Sequence, residues 1–214
     1  LAPGLKQLGM VTDAVWADVD KDGWQDLIVV GEWSDLKIYH NEKGSLRDIS
    51  RESGLEHTGG FWCKIIPADV NNDGNTDFVI GNLGLNTSFK ASAAEPLTIY
   101  VNDFDHDGRM DEVMTWFVMG KSYPFNSRDE LAEQMPMLNK RFLHYSDFAD
   151  ATINDIFSAE QIQSSKKFNI YTTQSSVLMN KGNNHFELAP LPREAQFSML
   201  QGMLYGDFDG DDKN

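Results

Sequence analysis

The chain has 214 residues, 41% of them hydrophobic, with a formal net charge of −15 at pH 7. That length buries a sizeable core as one large domain or two small ones. The absence of a basic stripe excludes nucleic acid as the expected partner. No apolar run reaches the roughly 18 residues of a membrane-spanning helix, and a lone cysteine, Cys63, leaves no intrachain disulfide.

Taken in chain order, Ala14-Val15-Trp16-Ala17 reads as a first strand that enters an aspartate-rich loop starting at Asp18. Leu27 to Gly31 leaves it as a second strand, Leu36 to Tyr39 follows as a third, and Asn41 to Gly44 turns into a fourth at Ser45 to Ile49. β-branched and aromatic runs between Gly, Asn and Asp clusters are the signal used here. The run Phe61 to Ile66, where Cys63 is expected as a core thiol, leads to a second such loop at Asp69. Pro67 precedes that loop, and a proline donates no ladder hydrogen bond, so this strand is expected at a sheet edge. After Phe78-Val79-Ile80, the segment Leu97 to Val101 runs straight into a third loop at Asp103, followed by Val113 to Phe117. The short interval from 69 to 103 makes the second unit look abbreviated.

Residues 127–166 are different. Ser127-Arg128-Asp129-Glu130 and Ser158-Ala159-Glu160-Gln161 are capping boxes, and Leu131, Met135 and Leu138 recur at helical spacing. Pro136 is expected to break the first helix. This stretch is read as a helical insertion in the third unit. Third and fourth strands then recur at Ser176 to Asn180 and His185 to Leu188, around a Lys-Gly-Asn-Asn turn that repeats the punctuation of Tyr39 to Gly44. The interval from 18 to 69 matches a four-stranded propeller blade of roughly 40–50 residues.

The loops carry the chemistry. Asp18 to Asp26, Asp69 to Asp77 and Asp103 to Asp111 share acids or amides at positions one, three, five and nine and a glycine at six. Alternate residues point the same way, so positions one, three and five converge, and glycine permits the sharp turn after them. Such an all-oxygen cluster suits calcium, which takes six to eight oxygen ligands. The expected ligands are Asp18, Asp20, Asp22, the Trp24 carbonyl and Asp26; Asp69, Asn71, Asp73, the Asn75 carbonyl and Asp77; and Asp103, Asp105, Asp107, the Arg109 carbonyl and Asp111. His106, at position four, is expected to face solvent. A truncated fourth copy offers Asp207, Asp209 and Asp211, with Asp212 in place of the glycine. An EF-hand would need a Glu at position twelve, where Val29, Ile80 and Met114 stand, and a helix where apolar strands follow.

With these motifs the chain resembles the FG-GAP/VCBS repeat family, which includes the integrin α-chain propeller and bacterial secreted relatives of cartilage acidic protein. The resemblance implies an all-β fold with a helical insertion: part of one β-propeller of four-stranded antiparallel blades, spanning 1–214, with calcium in the Asp-rich loops. Three units and a fragment do not close the usual ring, so the chain reads as part of a larger protein whose open blade faces favour self-association. The expected role is an exported module, extracellular, at the cell surface or periplasmic, that binds a protein or glycan ligand around structural calcium. A polysaccharide-active lyase or glycosidase is the alternative, although no nucleophile, triad or zinc motif marks a catalytic residue. Among the tryptophans, Trp33 is expected on an exposed blade-tip loop.

Overall fold

The computed structural model describes residues 3–208. Strand β1 (Met10–Ala17) enters the first loop and β2 (Asp26–Ser34) leaves it, with Ala17 opposite Asp26 and Val15 opposite Ile28. From Asp26 to Gly31 every residue of β2 is buried, which marks it as a central strand. A turn through Lys43 and Gly44, both at positive φ, joins β3 (Lys37–Glu42) to β4 (Ser45–Asp48). The order β1-β2-β3-β4 is an antiparallel sheet of the kind expected of one blade, and β5 (Gly60–Phe61) pairs with the far end of β2.

Strands β6 (Lys64–Ala68) and β7 (Asp77–Gly81) flank the second loop. Around the third loop lie β8 (Leu97–Asn102) and β9 (Asp111–Val118), with β10 (Lys121–Pro124) folding back on β9. The helices follow as α1 (Arg128–Gln134), α2 (Met137–Arg141), α3 (Tyr145–Ala149), α4 (Ile153–Ile156) and α5 (Ala159–Ser164). Both expected capping boxes are formed, at Ser127–Glu130 and Ser158–Gln161, and Thr152–Asp155 forms a third. Pro136 separates α1 from α2, because a proline ring obstructs the continuing helix and brings no N–H.

After β11 (Lys166–Ile170), the strands β12 (Ser176–Asn180) and β13 (Phe186–Pro190) complete the second sheet in the order β13-β12-β7-β6. Val177 stands opposite Val79 and Leu178 opposite Phe78. The second blade is therefore interrupted rather than abbreviated, and the 69-to-103 interval misled because strand pairing is non-local. Its third and fourth strands return only after the third sheet and the helices have been made. Within that third sheet the order is β10-β9-β8-β11. Pro67 lies on β6, the edge strand, where its missing donor costs no ladder bond.

The chain divides into two compact units: the described segments up to Ser88 and from Ile170, and the stretch Phe89–Asn169. The core of the first gathers Ile28, Ile38, Trp62, Phe78, Ile80 and Leu178. Trp62 is fully buried and its indole N–H donates to the Thr58 carbonyl at 2.8 Å. The second unit packs Phe104 from its loop and Val113 from its sheet against Leu131, Met135, Leu138 and Ile156 from its helices. Trp33 does not stand free: it is partly buried and meets Phe61 edge-to-face at 5.2 Å. Cys63 is half-buried, its thiol 3.3 Å from the Leu200 carbonyl, and burial pushes its pKa up.

Phe78 is fully buried on β7 and stacks, tilted, against Phe186 of β13. Phe78→Ala is expected to cost about 3–5 kcal/mol and lower the urea midpoint. Met119→Ala, at a side chain 99% exposed, should change stability by no more than about 0.5 kcal/mol.

Candidate metal centres

Each loop starts where the first strand of its sheet stops, and its ninth residue opens the second strand. Between them the backbone curls the same way three times. Position four has positive φ in each copy (Lys21 64°, Asn72 55°, His106 62°), and so does the glycine at six (89°, 81° and 87°). The glycine was legible in the sequence. The left-handed residue at four was not: Asn72 and His106 are types enriched there, but Lys21 is not, so no shared residue type marks the position. His106 is exposed.

The curl aims backbone N–H groups at the carboxylates. In the first loop Asp18 accepts from Asp22 N–H (3.2 Å) and Gly23 N–H (2.9 Å), and Asp22 accepts from Trp24 N–H (2.8 Å). In the second, Asp69 accepts from Asp73 (3.1 Å) and Gly74 (2.9 Å), and Asp73 from Asn75 (2.7 Å). In the third, Asp103 accepts from Asp107 and Gly108 (both 3.0 Å), and Asp107 from Arg109 (2.8 Å). Position three joins in each copy: Asp20, Asn71 and Asp105 accept the same position-five N–H as position one does.

Position nine is buried and ties the loop to the sheet. One oxygen of Asp26, Asp77 and Asp111 accepts the N–H of position two, from Val19 (3.1 Å), Val70 (3.2 Å) and Phe104 (2.9 Å). The other oxygen of Asp26 accepts from Asn41 N–H at 2.8 Å, and that of Asp77 from Asn180 N–H at 2.7 Å, both from the third strand of the blade. Asn41 and Asn180 are equivalent in a second way. Their side-chain amides donate to the position-eight carbonyls of Gln25 and Thr76, and each accepts from the glycine of the following turn.

Crowded carboxylates leave an electrostatic mark. Burial first, then the neighbouring Asp73 and Asp69, pushes the Asp77 pKa above its ordinary 3.8. Burial and then Asp105, Asp107 and Asp103 do the same to Asp111. Exposed Asp73 shifts the other way, held down first by the Asn75 N–H.

Asp18, Asp20 and Asp26 bring one oxygen each within 4.8 Å of one another, as do Asp103, Asp105 and Asp111, so these groups could hold a metal ion. The second loop has the same cage with an amide, Asn71, at position three. Each oxygen of Asp18, Asp69 and Asp103 takes a single backbone N–H and keeps lone-pair capacity for a cation. Beside the first loop, the Oδ1 of Asn184 is buried with no hydrogen-bond partner, while its Nδ2 donates to Asp20 at 3.3 Å. The donor set is oxygen throughout, which fits a hard cation. Of the truncated copy, Asp207 is exposed, and Asp209 and Asp211 lie outside the described residues.

Residues 18–80 match the family model of the FG-GAP-like repeat. Over this segment the chain is similar to an FG-GAP-like repeat. The match opens at position one of the first loop, crosses the whole first blade beyond β1, and ends within β7 of the second. No curated protein shows significant similarity to the chain.

Sequence reasoning missed two residues at the first loop. His40 Nδ1 lies 3.0 Å from Asp26 and 3.5 Å from Asp20, and Asn184 reaches Asp20 from the second blade. Neither belongs to the nine-residue phrase. Only the matched punctuation around Asn41 and Asn180 pointed to the strands that carry them.

An acid whose pKa is raised on folding binds its proton more tightly in the folded state. Its ionisation therefore lowers stability as pH rises from 3.8 through the raised value. In chelator-treated protein, Asp77→Asn should lose less stability than the wild type between about pH 4 and pH 6, by urea unfolding at both. An equal loss in both proteins would show that Asp77 ionises in the fold without penalty.

Proposed function

We propose that this chain is a calcium-stabilised, exported β-propeller module that binds a protein or glycan partner, its calcium being structural. The observation that carries the reading is one hydrogen-bond cage built three times, at the same positions, from three separate stretches of the chain. Turns need no such set of acids. Like charges gathered at fixed offsets repel unless a cation sits among them; burial first, and then that repulsion, raises the pKa values of Asp77 and Asp111.

Calcium suits the loops better than magnesium, which demands a near-ideal octahedron and keeps several waters. Asp18, Asp20, Asp22 and Asp26 would hold it in the first loop, Asp69, Asn71, Asp73 and Asp77 in the second, and Asp103, Asp105, Asp107 and Asp111 in the third. The carbonyls of Trp24, Asn75 and Arg109 would complete the shells. Export is proposed because calcium is plentiful outside the cell, where calcium modules of roughly 10⁻⁴ to 10⁻³ M affinity are filled. Among the described residues, no helix is long and apolar enough to cross a membrane.

The partner-binding half rests on the FG-GAP-like repeat and on where this chain departs from a bare blade. In the unit Phe89–Asn169 a groove of about 300 Å³ is lined by Tyr123, Pro124, Tyr145 and Phe148, with Arg128 stacked 4.0 Å from the Tyr145 ring centroid. Flat aromatic faces beside a cation suit a sugar or an extended peptide. Insertions carry recognition more often than the scaffold that bears them.

Bound calcium stabilises the folded state by about 2.7 kcal/mol per site at a hundred times Kd. For a chain of this size that is about 5–10 °C of thermal midpoint per filled site. The midpoint should therefore drop on addition of EGTA and recover with excess calcium. Because the ligands must be ionised to bind, the calcium-induced rise should shrink in mildly acidic buffer. A midpoint indifferent to EGTA would sink the calcium reading. On a polysaccharide panel the protein should release no new reducing ends, and release abolished by mutating two carboxylates outside the loops would make it an enzyme.

A further inference from the structure

The three loops have one internal design and different surroundings. Position three of the second loop, Asn71, bonds to Asp73 of its own loop at 2.9 Å, and Asp105 of the third accepts from Asp107 of its own. Asp20 in the first loop accepts from Asp22 of its own loop as well, and is gripped from outside besides. Its carboxylate, 19% exposed, lies between His40 of β3 and the amide of Asn184, which stands in the turn between β12 and β13. One blade's loop is thus held by the hairpin of the next.

That turn is shaped for the contact. Gly182, Asn183 and Asn184 all have positive φ, at 79°, 54° and 58°. Asn tolerates this region better than other side chains bearing a Cβ. The turn is closed by His185 N–H to the Gly182 carbonyl at 3.0 Å and Lys181 N–H to the His185 carbonyl at 2.9 Å. Its base is anchored by the Asn180 amide, which donates to the Val19 carbonyl at 2.8 Å, position two of the same first loop. At its tip, Asn184 spends one amide hydrogen on Asp20 and leaves a buried carbonyl oxygen with no donor. Such an orphan costs free energy unless something polar meets it.

We propose that Asn184 is a positioning residue for the cation of the first loop, and that filling this loop fastens the 181–185 turn of the second blade onto the first. The inference rests on the loops being metal sites. A hydrogen bond that orients a ligating carboxylate alters metal affinity by about 10–100-fold when removed. By linkage, whatever the turn contributes to the cation, the cation returns to the turn.

The first loop has its own reporter. Trp24 occupies position seven there, against Asn75 and Arg109 in the other loops, so terbium(III) bound in the first loop is lit through the adjacent indole. Wild-type protein titrated with terbium should give emission on tryptophan excitation that excess calcium displaces and Trp24→Phe abolishes. Asn184→Gly removes the amide without straining a backbone already at positive φ. It should weaken terbium binding about tenfold or more while calorimetric binding at the other loops is unchanged. Calcium should slow hydrogen exchange of residues 181–185 in the wild type and not in Asn184→Gly. Asn183→Gly, which loosens the same turn at an exposed residue, should leave terbium affinity intact. Equal affinity in Asn184→Gly and wild type would overturn the inference and leave the metal reading standing. Equal losses in Asn183→Gly and Asn184→Gly would also overturn it, tracing the effect to turn flexibility. A wild-type protein that binds neither terbium nor calcium in any loop would overturn the metal reading itself.

Discussion

A carboxylate that accepts backbone N–H groups from its own loop is the constraint on which the rest of this structure depends. Position one ties down the N–H groups of five and six, and position nine ties down that of two. The loop is thereby closed on itself by its own hydrogen bonds. Because position nine is also the first residue of β2, β7 and β9, the same carboxylate that shapes the loop sets where the next strand begins. Sheet register and loop geometry are one decision, made by Asp26, Asp77 and Asp111. A one-residue slip there would turn every core side chain of the following strand to the wrong face.

Position two shows how tightly loop and core are joined. Val19 and Phe104 are only 3% and 1% exposed, so the N–H that meets the position-nine carboxylate belongs to a residue plugged into the interior. Their carbonyls are bound too, Val19 by the Asn180 amide and Phe104 by the Gln161 amide, each at 2.8 Å. In the second loop Val70 is 37% exposed, and the bracing falls instead on the Asp69 carbonyl, which accepts from the Tyr205 hydroxyl. The nine residues repeat, while the brace is supplied by whatever element lies nearby. Asp13 plays a similar part between blades: it accepts the Ile65 N–H of edge strand β6 at 3.1 Å and the Lys64 ammonium at 2.8 Å, covering part of an edge that would otherwise offer its donors to another chain.

Local signals survived the passage from sequence to structure. The first blade, the loops with their glycines, the helix starts at Ser127 and Ser158, the break at Pro136 and the edge position of Pro67 all depend on residues within a few positions of one another. What was hidden is non-local. An interval between motifs measures distance along the chain and is silent on which strand lies beside which, so the interrupted second blade read as a short one. Trp33 was misplaced for the same reason, since its cover, Phe61, comes from a strand formed much later in the chain. His40 and Asn184 carry no motif at all, and only the packing of β3 and of the β12–β13 turn brings them to Asp20.

The interruption itself is cheap in physical terms. Closing a loop costs about 0.6 kcal/mol for each doubling of its length. Stretching the connection from β7 to β12 from a tight turn to the interval between Gly81 and Ser176 therefore costs about 3 kcal/mol even for a flexible chain. The inserted stretch is compact with a core of its own, which reduces that figure. Against it stands a specific reward at the point of return. Asp77 is fully buried, and without Asn180 one of its oxygens would face the interior unpaired, a penalty of about 1–3 kcal/mol or more for a charged group. The second loop thus selects its own third strand from far along the chain. A repeat built on such a link can accept a large insertion between its second and third strands without losing the blade, and new surface can be added there while the cages stay as they are.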